Sequence, residues 1–460
     1  MLDELTWIPA WQIRDRICRG EVSPVEVLEH FLARIEEFNP TLKAFAHLDA
    51  AGARKQARDA EAAVRRREPL GPLHGIPISV KEHIAVAGMP VLAMMAAVTE
   101  SPAAYDDLGI ARLREAGAVI VGTNTMMGTS SSAFMQFKWE AEARNPWDPS
   151  RVPGWSSSGG AATAAARLLP IAIGSDGGGS TRLPAAYSGL VGIHPTAGLV
   201  PSVNYANPAR YNPTITIGPL ARDVRDCAVA LQAMAGPDWR DFDCIEDDPP
   251  NFLEHLDEGA AGLRLAWTDD YGFTSMYAFE ESPRVIAAVR AAAMGLKSLG
   301  AEISSTDLIW EDFFPGYMTT NYLFGSPLGP LPRPERAQWV AALEARQRNW
   351  QTFRKLFAEY DLLLSPTSQL LPAKVEDWAE RWAGKGPVPF PHQMFAPHYT
   401  SHTHMFNWLG FPAVNVPAGF IDGLPIGLQI VGPPRSEAKV FRVAHAFLKA
   451  FPRPEHPKVS

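Results

Sequence analysis

The stretch that decides the fold runs from residue 153 to residue 186: PGWSSSGGAATAAARLLPIAIGSDGGGSTRLPAA. Its pieces have different characters. Three serines, Ser156, Ser157 and Ser158, and two glycines lead into a run of small residues that reads as a helix over 160–169. The apolar triplet Ile171, Ala172, Ile173 then reads as a short buried strand. Three consecutive glycines, Gly177, Gly178 and Gly179, break that strand just before Ser180. A helix feeding directly into a buried strand is the signature of a sheet covered by helices.

Reading outward, the same alternation continues. Residues 76–80 predict a strand that ends on Lys81, 108–116 a helix and 118–121 a strand. Nearer the N-terminus, SPVEVLEHFLARIEEFNP carries a capping box (Ser23 and Glu26), Pro24 at the first helical position, and Leu28, Phe31, Leu32 and Ile35 at helical spacing. Asn39-Pro40 is expected to end that helix, and 50–66 predicts a second, polar one. Towards the C-terminus, helices are expected over 283–299 and 336–360. Strands follow over 301–304, 362–364, 413–416 and 426–431, and a closing helix over 437–451 with Ser436 as its N-cap. The acidic segment 238–256 reads as a surface loop, and the Pro- and Gly-rich stretches 324–334 and 384–391 as loops bordering a pocket. Neither an internal repeat nor a separating linker is visible. The expected architecture is α/β: a single domain over 1–460 with a large central mixed β-sheet flanked by helices on both faces.

Composition narrows the function. The chain has 460 residues, 46% of them hydrophobic, with a net charge of -8. That balance argues against a nucleic-acid binder, which needs a basic face to neutralise phosphates. Cys18, Cys227 and Cys244 are odd in number and far apart, with no CxxC pair, so neither a disulfide framework nor a zinc site is suggested. MLDELTWIP lacks the basic start and apolar run of a signal peptide, and the longest small-residue stretch is broken by Arg167 and Pro170. The expectation is a cytoplasmic protein with no membrane contact and no cofactor, acting on a small molecule.

Four segments could carry chemistry: GIPISVKEHIAVAG around Lys81, the serine cluster, GSDGGGSTRLPAA around Ser180, and the C-terminal pair DLLLSPT and NWLGFPAVNVPAGF. Alone, each has an ordinary explanation. A lysine at a strand end is usually solvated, serines before a helix usually cap it, and a glycine run usually makes a turn. Together they supply a base, a relay hydroxyl, a nucleophile and oxyanion donors.

In this combination the chain resembles the amidase-signature family. VKE at Lys81, the serine-glycine cluster at 154–160, GSDGGGSTRLPAA, GLVGIHPTAGLVP, RNPWD, FPAVNVPAGF and LPIGLQIVG all fit its pattern, most densely over about 70–202. The resemblance implies Ser180 as nucleophile and Lys81 as general base. It places the relay serine, held in the family by a cis peptide, twenty-four residues before the nucleophile, at Ser156, with Ser157 in support. Trp155 and Ser158 stand where glycines are common, which leaves the register between Ser156 and Ser157 open. Glu82 for aspartate and His194 for lysine are further departures. The resemblance also implies either an amidase or, alternatively, one component of a partner-dependent amidotransferase.

The chemistry is coherent on physical grounds. A serine hydroxyl needs a positioned base, and lysine serves only when neutral. Burial disfavours its charged form, and a shift from about 10.4 to near 7 corresponds to roughly 4–5 kcal/mol. The amides of Gly177, Gly178 and Gly179 are unobstructed by side chains and can face a developing oxyanion; Asp176 and Arg182 are expected to hold their loop. The rivals are weaker. There is no GxSxG elbow, SEAK at 436–439 reads as a helix start rather than a catalytic SxxK, and the glycine run lacks the GK[ST] of a phosphate loop. His83, leaving the strand two residues after Lys81, is expected to point elsewhere. For the substrate pocket, Met126, Met127, Phe134 and Trp155 are candidates, with Met89, Met94, Met95 and Met135 nearby in sequence. Such a lining suits aryl or alkyl amides, and the same acyl transfer extends to esters and carbamates, the latter a urethanase activity.

Overall fold

The computed structural model describes residues 2–91, 102–127, 142–203, 214–323, 334–377, 396–452 and 456–459. Eleven strands form one mixed sheet. In chain order they are β1 (Phe45–Leu48), β2 (Pro77–Lys81), β3 (Val119–Asn124), β4 (Ile171–Asp176), β5 (Val191–His194), β6 (Thr216–Ala221), β7 (Arg264–Trp267), β8 (Glu302–Ser305), β9 (Leu362–Pro366), β10 (Ala413–Ile421) and β11 (Leu424–Val431). Their order across the sheet is β1-β3-β2-β4-β6-β5-β10-β11-β9-β7-β8. β2 runs parallel to both β3 and β4, and β7 parallel to β8 and β9; the remaining pairs are antiparallel.

Burial explains the apolar strand sequences. Every residue of β2, β3, β4, β6, β9 and β11 is buried, which requires helices on both faces of the sheet. The edge strands β1 and β8 instead show exposed residues. The helix Ser158–Ala165 packs against β4 and β6, Arg182–Ser188 against β5, β10 and β11, and Glu437–Ala450 against β10 and β11. Small residues let the first of these approach the sheet closely. A Cβ at Gly159 would lie 2.5 Å from the Ala44 carbonyl oxygen and 2.6 Å from that of Thr125, distances no side chain tolerates. Among the described residues no helix is long and apolar enough to cross a membrane.

The sequence reading of the elements holds, with local corrections. The helix Pro24–Leu42 has the expected capping box but runs through Pro40. It stops when Lys43 turns into the left-handed region and donates its amide to the Asn39 carbonyl at 2.7 Å. Asn39 Oδ1 then accepts the amides of Ala44 at 2.8 Å and Phe45 at 3.1 Å, so a side chain, and not the proline, makes the stop. The small-residue helix begins at Ser158 and ends at Ala165, short of the expected 169, where Arg167 at φ 59° turns the chain towards β4. Ser436 precedes the last helix without capping it, because its hydroxyl donates to the Pro433 carbonyl at 2.6 Å. Most of the loops expected at 324–334 and 384–391 lie outside the described residues.

Asn39→Ala should lower the unfolding free energy by about 1–3 kcal/mol, since two part-buried amides lose their acceptor. Asn39→Asp, which keeps the oxygen, should retain most of it. Thermal unfolding of the two variants against wild type measures the difference.

Candidate active site

Three parallel neighbours, β3, β2 and β4, bring the site together. β2 ends on Lys81, and β4, paired beside it, ends on Ser175 and Asp176. The serine cluster leads into the helix Ser158–Ala165, which packs on both strands. Lys81 is 2% exposed. Its Nζ lies 2.7 Å from Ser156 Oγ, 3.0 Å from Ser175 Oγ and 3.3 Å from the Ser175 carbonyl oxygen. Burial moves its pKa down to about 7, against the opposing charges of Asp176 and Glu82.

The geometry also separates the two candidate relay serines. Ser156 faces the lysine. Ser157 does not: its hydroxyl donates to the Ser175 carbonyl at 3.2 Å and accepts the Ser175 amide at 3.4 Å. Nor does Ser157 cap the helix that follows it; it ties that helix to the end of β4.

Ser180, 5% exposed, stands at the end of the glycine loop. The loop is shaped by a buried ion pair. Asp176 and Arg182 have no exposed side-chain surface and meet at 2.9 Å and 3.1 Å in a two-point contact. Around them, Asp176 accepts the amides of Gly179 at 2.5 Å, Thr181 at 3.2 Å and Arg182 at 3.3 Å. Arg182 donates further to Thr403 O, Gln429 Oε1 and Asn407 Oδ1 at 3.1, 2.8 and 2.6 Å. The guanidinium holds the Asp176 carboxyl far below the usual carboxylate range, outweighing the upward effect of burial.

One of the three glycine amides expected to face an oxyanion has a partner within the loop: that of Gly179 donates to Asp176 Oδ1. Among the described residues no acceptor is found for the amides of Gly177, Gly178 or Ser180, so these are the N–H groups at liberty beside Ser180. The carbonyls on the other side of the loop are occupied. Tyr317 donates to Gly177 O at 2.7 Å and Thr403 to Gly178 O at 2.9 Å. Glycine is required here. A Cβ on Gly178 would sit 2.3 Å from His404 Nε2, and Gly179 holds φ +113°.

The predicted pocket residues divide. Met127 belongs to a buried cluster with Val152, Leu183, Tyr187, Leu370 and Tyr399, against which Trp155 packs. Trp155 also touches a larger aromatic cluster around Phe273, Phe313 and Phe406, so it bridges the two. Met126 is buried, its amide donating to Glu82 Oε1 at 2.6 Å. Met89 packs in the main core. Phe134, Met94, Met95 and Met135 lie outside the described residues.

Several participants escape the sequence reading. Ser175 lies inside the quoted GSDGGGS, where nothing local gives it a role. Asn407, the first residue of NWLGFPAVNVPAGF, donates to Asp176 O and Oδ1 at 2.8 and 2.9 Å; Ser365 of DLLLSPT accepts from Tyr271 at 2.6 Å and from Gln429 at 3.2 Å. Both flagged C-terminal segments therefore support the loop. His83 does not point elsewhere. A turn closed by the Ile84 amide on the Lys81 carbonyl at 2.9 Å interrupts the strand alternation, and His83 Nε2 comes to 3.1 Å from Ser175 Oγ.

A buried lysine on a serine hydroxyl, next to a glycine loop that carries a second serine, is the arrangement of a hydrolase site built on serine and lysine. The amidase family profile matches residues 26–324 and 332–441. The chain belongs to the amidase-signature family. It is 32% identical to the A subunit of glutamyl-tRNA(Gln) amidotransferase from Roseiflexus castenholzii, across 95% of this chain and 94% of that one. It is 30% identical to an acylamidase of Rhodococcus erythropolis, across 96% and 95%. Its fold superposes on the crystal structure of a bacterial aryl acylamidase of the same family with a TM-score of 0.81, at 26% identity over 97% of each chain.

Arg182→Met should destabilise the protein by about 3–5 kcal/mol, because it leaves the Asp176 charge buried without a partner. The double variant Asp176→Asn with Arg182→Met should recover part of that loss. Denaturant unfolding of the single and double variants checks both.

Proposed function

We propose that this chain hydrolyses carboxamide-type bonds by acyl transfer through Ser180. The observation that carries the reading is Lys81, buried, hydrogen-bonded to Ser156 at 2.7 Å and held near pKa 7 by desolvation. An amine with that pKa is substantially neutral near pH 7 and can accept a proton. In this reading Ser180 Oγ attacks the acyl carbon, and its proton passes to Ser156 as the Ser156 proton passes to Lys81. The oxyanion that forms faces the amides of Gly177, Gly178 and Ser180, which have no acceptor among the described residues. On collapse the carbon–nitrogen bond breaks, and the proton returns through Ser156 to the leaving amine. Water, deprotonated along the same path, then cleaves the acyl-serine ester and releases the acid.

The substrate class we infer is apolar or aryl amides and anilides. The cluster of Met127, Tyr187 and Tyr399 with Trp155 offers an adaptable apolar and aromatic wall, and the likeness to an acylamidase and to an aryl acylamidase supports it. Esters and carbamates pass through the same tetrahedral intermediate, so cleavage of urethane bonds belongs to the proposal. A second reading rests on the likeness to amidotransferase A subunits: the chain would then act only with partner proteins.

The purified chain should release amine from anilides, and Ser180→Ala should abolish this. Its kcat/KM should fall about tenfold per pH unit below a midpoint near 7, since acid protonates Lys81 and removes the base. Retention of the activity in Ser180→Ala would refute the nucleophile. No cleavage of any anilide, short amide, ester or aryl carbamate by wild type would favour the partner-dependent reading.

A further inference from the structure

Four side chains form an unbroken hydrogen-bonded line: Ser156 Oγ to Lys81 Nζ at 2.7 Å, Lys81 Nζ to Ser175 Oγ at 3.0 Å, and Ser175 Oγ to His83 Nε2 at 3.1 Å. The directions of its hydrogens are constrained by counting. A neutral lysine has two N–H bonds and one lone pair. If Lys81 is to take a proton from Ser156, that lone pair must face the Ser156 hydroxyl. Its two hydrogens then go to the acceptors that remain, the Ser175 carbonyl at 3.3 Å and Ser175 Oγ. Ser175 Oγ is thus an acceptor, and its own hydrogen needs somewhere to go. Among the described residues its other partner is His83 Nε2.

We propose that His83 is a positioning residue: as acceptor for the Ser175 hydroxyl hydrogen, it keeps Ser175 receiving from Lys81 and leaves the lysine lone pair on Ser156. This inference rests on the acyl-transfer reading of the same site. Without an acceptor at His83, the Ser175 hydrogen turns to the lysine lone pair, and the base is occupied by its neighbour. The role requires a neutral imidazole with its hydrogen on Nδ1, which has no partner among the described residues. Burial, and secondarily the Lys81 charge, hold His83 well below the usual histidine pKa, so it stays neutral when Lys81 is protonated. His83 therefore orients and does not itself carry the proton. The carboxylates acting on Lys81 from neighbouring positions, Asp176 and Glu82, oppose its desolvation and are untouched by changes at His83.

The test compares His83→Phe, which removes the acceptor, with His83→Gln, whose carboxamide oxygen reaches about as far as Nε2. The readouts are kcat, KM and the acid limb of kcat/KM on the best anilide, with thermal unfolding in parallel. His83→Phe is expected to lower kcat about tenfold or more with KM nearly unchanged, the scale of a misdirected proton transfer. Its acid limb should move to lower pH, because a hydroxyl donating to the neutral amine favours that form. His83→Gln should restore most of kcat and the wild-type limb. An unchanged kcat and limb in His83→Phe would overturn the proposal. So would equal losses in both variants that track a lowered unfolding temperature, since these mark a packing role. If wild type cleaves nothing, or Ser180→Ala stays active, the acyl-transfer reading itself fails and this inference goes with it; an active wild type, silent Ser180→Ala and unaffected His83→Phe refute the inference alone.

Discussion

The loop that presents Ser180 depends on one buried ion pair. Asp176 and Arg182 are six residues apart and bracket the glycines, with Ser180 between them, and neither side chain reaches solvent. Two opposite charges removed from water are stable only when their remaining hydrogen-bonding positions are filled. Here they are filled by the amides of Gly179, Thr181 and Arg182 on one side and by Thr403, Asn407 and Gln429 on the other. The pair therefore fixes the loop to β4 and joins it to segments more than 200 residues away in the chain. The same requirement explains why the Gly179 amide is consumed by the carboxylate, while among the described residues those of Gly177 and Gly178 have no acceptor.

A second constraint acts in the opposite sense. Lys81 is buried at a strand end and, among the described residues, has no carboxylate bonded to it; its partners are neutral hydroxyls and a carbonyl. A carboxylate in direct contact would stabilise the ammonium and raise the lysine pKa again. The protein thus keeps one buried cation fully paired, Arg182, which cannot lose its proton, and one poorly paired, Lys81, which can. The charge of Asp176 is absorbed mainly by Arg182, and its pull on Lys81 is outweighed by desolvation.

Much of this is legible in the sequence, and the reasons for the misses are specific. β2, β4 and the helices around them can be read because both faces of the central strands are buried and their sequences are accordingly apolar. Lys81 can be placed because it ends such a run, and Ser180 because it follows three glycines in a segment that resembles the family's pattern. Ser156 and Ser157 cannot be told apart by composition, since both are serines before one helix; the backbone direction that sends one to Lys81 and the other to Ser175 is a tertiary property. Strand alternation carried past Lys81 misplaces His83, because a turn already reverses the chain there. Asn407 and Gln429 lie in segments the sequence marks, but their role is not readable there: a polar residue on an apolar element announces burial, while its partner lies far along the sequence.

The small residues of 158–165 and 182–188 complete the physical account. Two short helices begin within a few residues of Ser156 and Ser180 and lie close against the sheet. Ala161, Ala162, Ala164 and Ala165 in the first, and Ala185 and Ala186 in the second, are all buried, and the two helices pack against each other. Larger side chains on these faces would push the first helix away from β4, and with it Ser156 from Lys81, and the second away from β5, β10 and β11. The apolar gain from burying alanine is small compared with leucine. That sequence therefore sacrifices hydrophobic stabilisation for proximity, a trade that makes sense only where backbone must approach backbone, as at Gly159 against the carbonyls of Ala44 and Thr125. The alanine-rich run that looks least informative in the sequence is what lets this backbone lie so close to its neighbours.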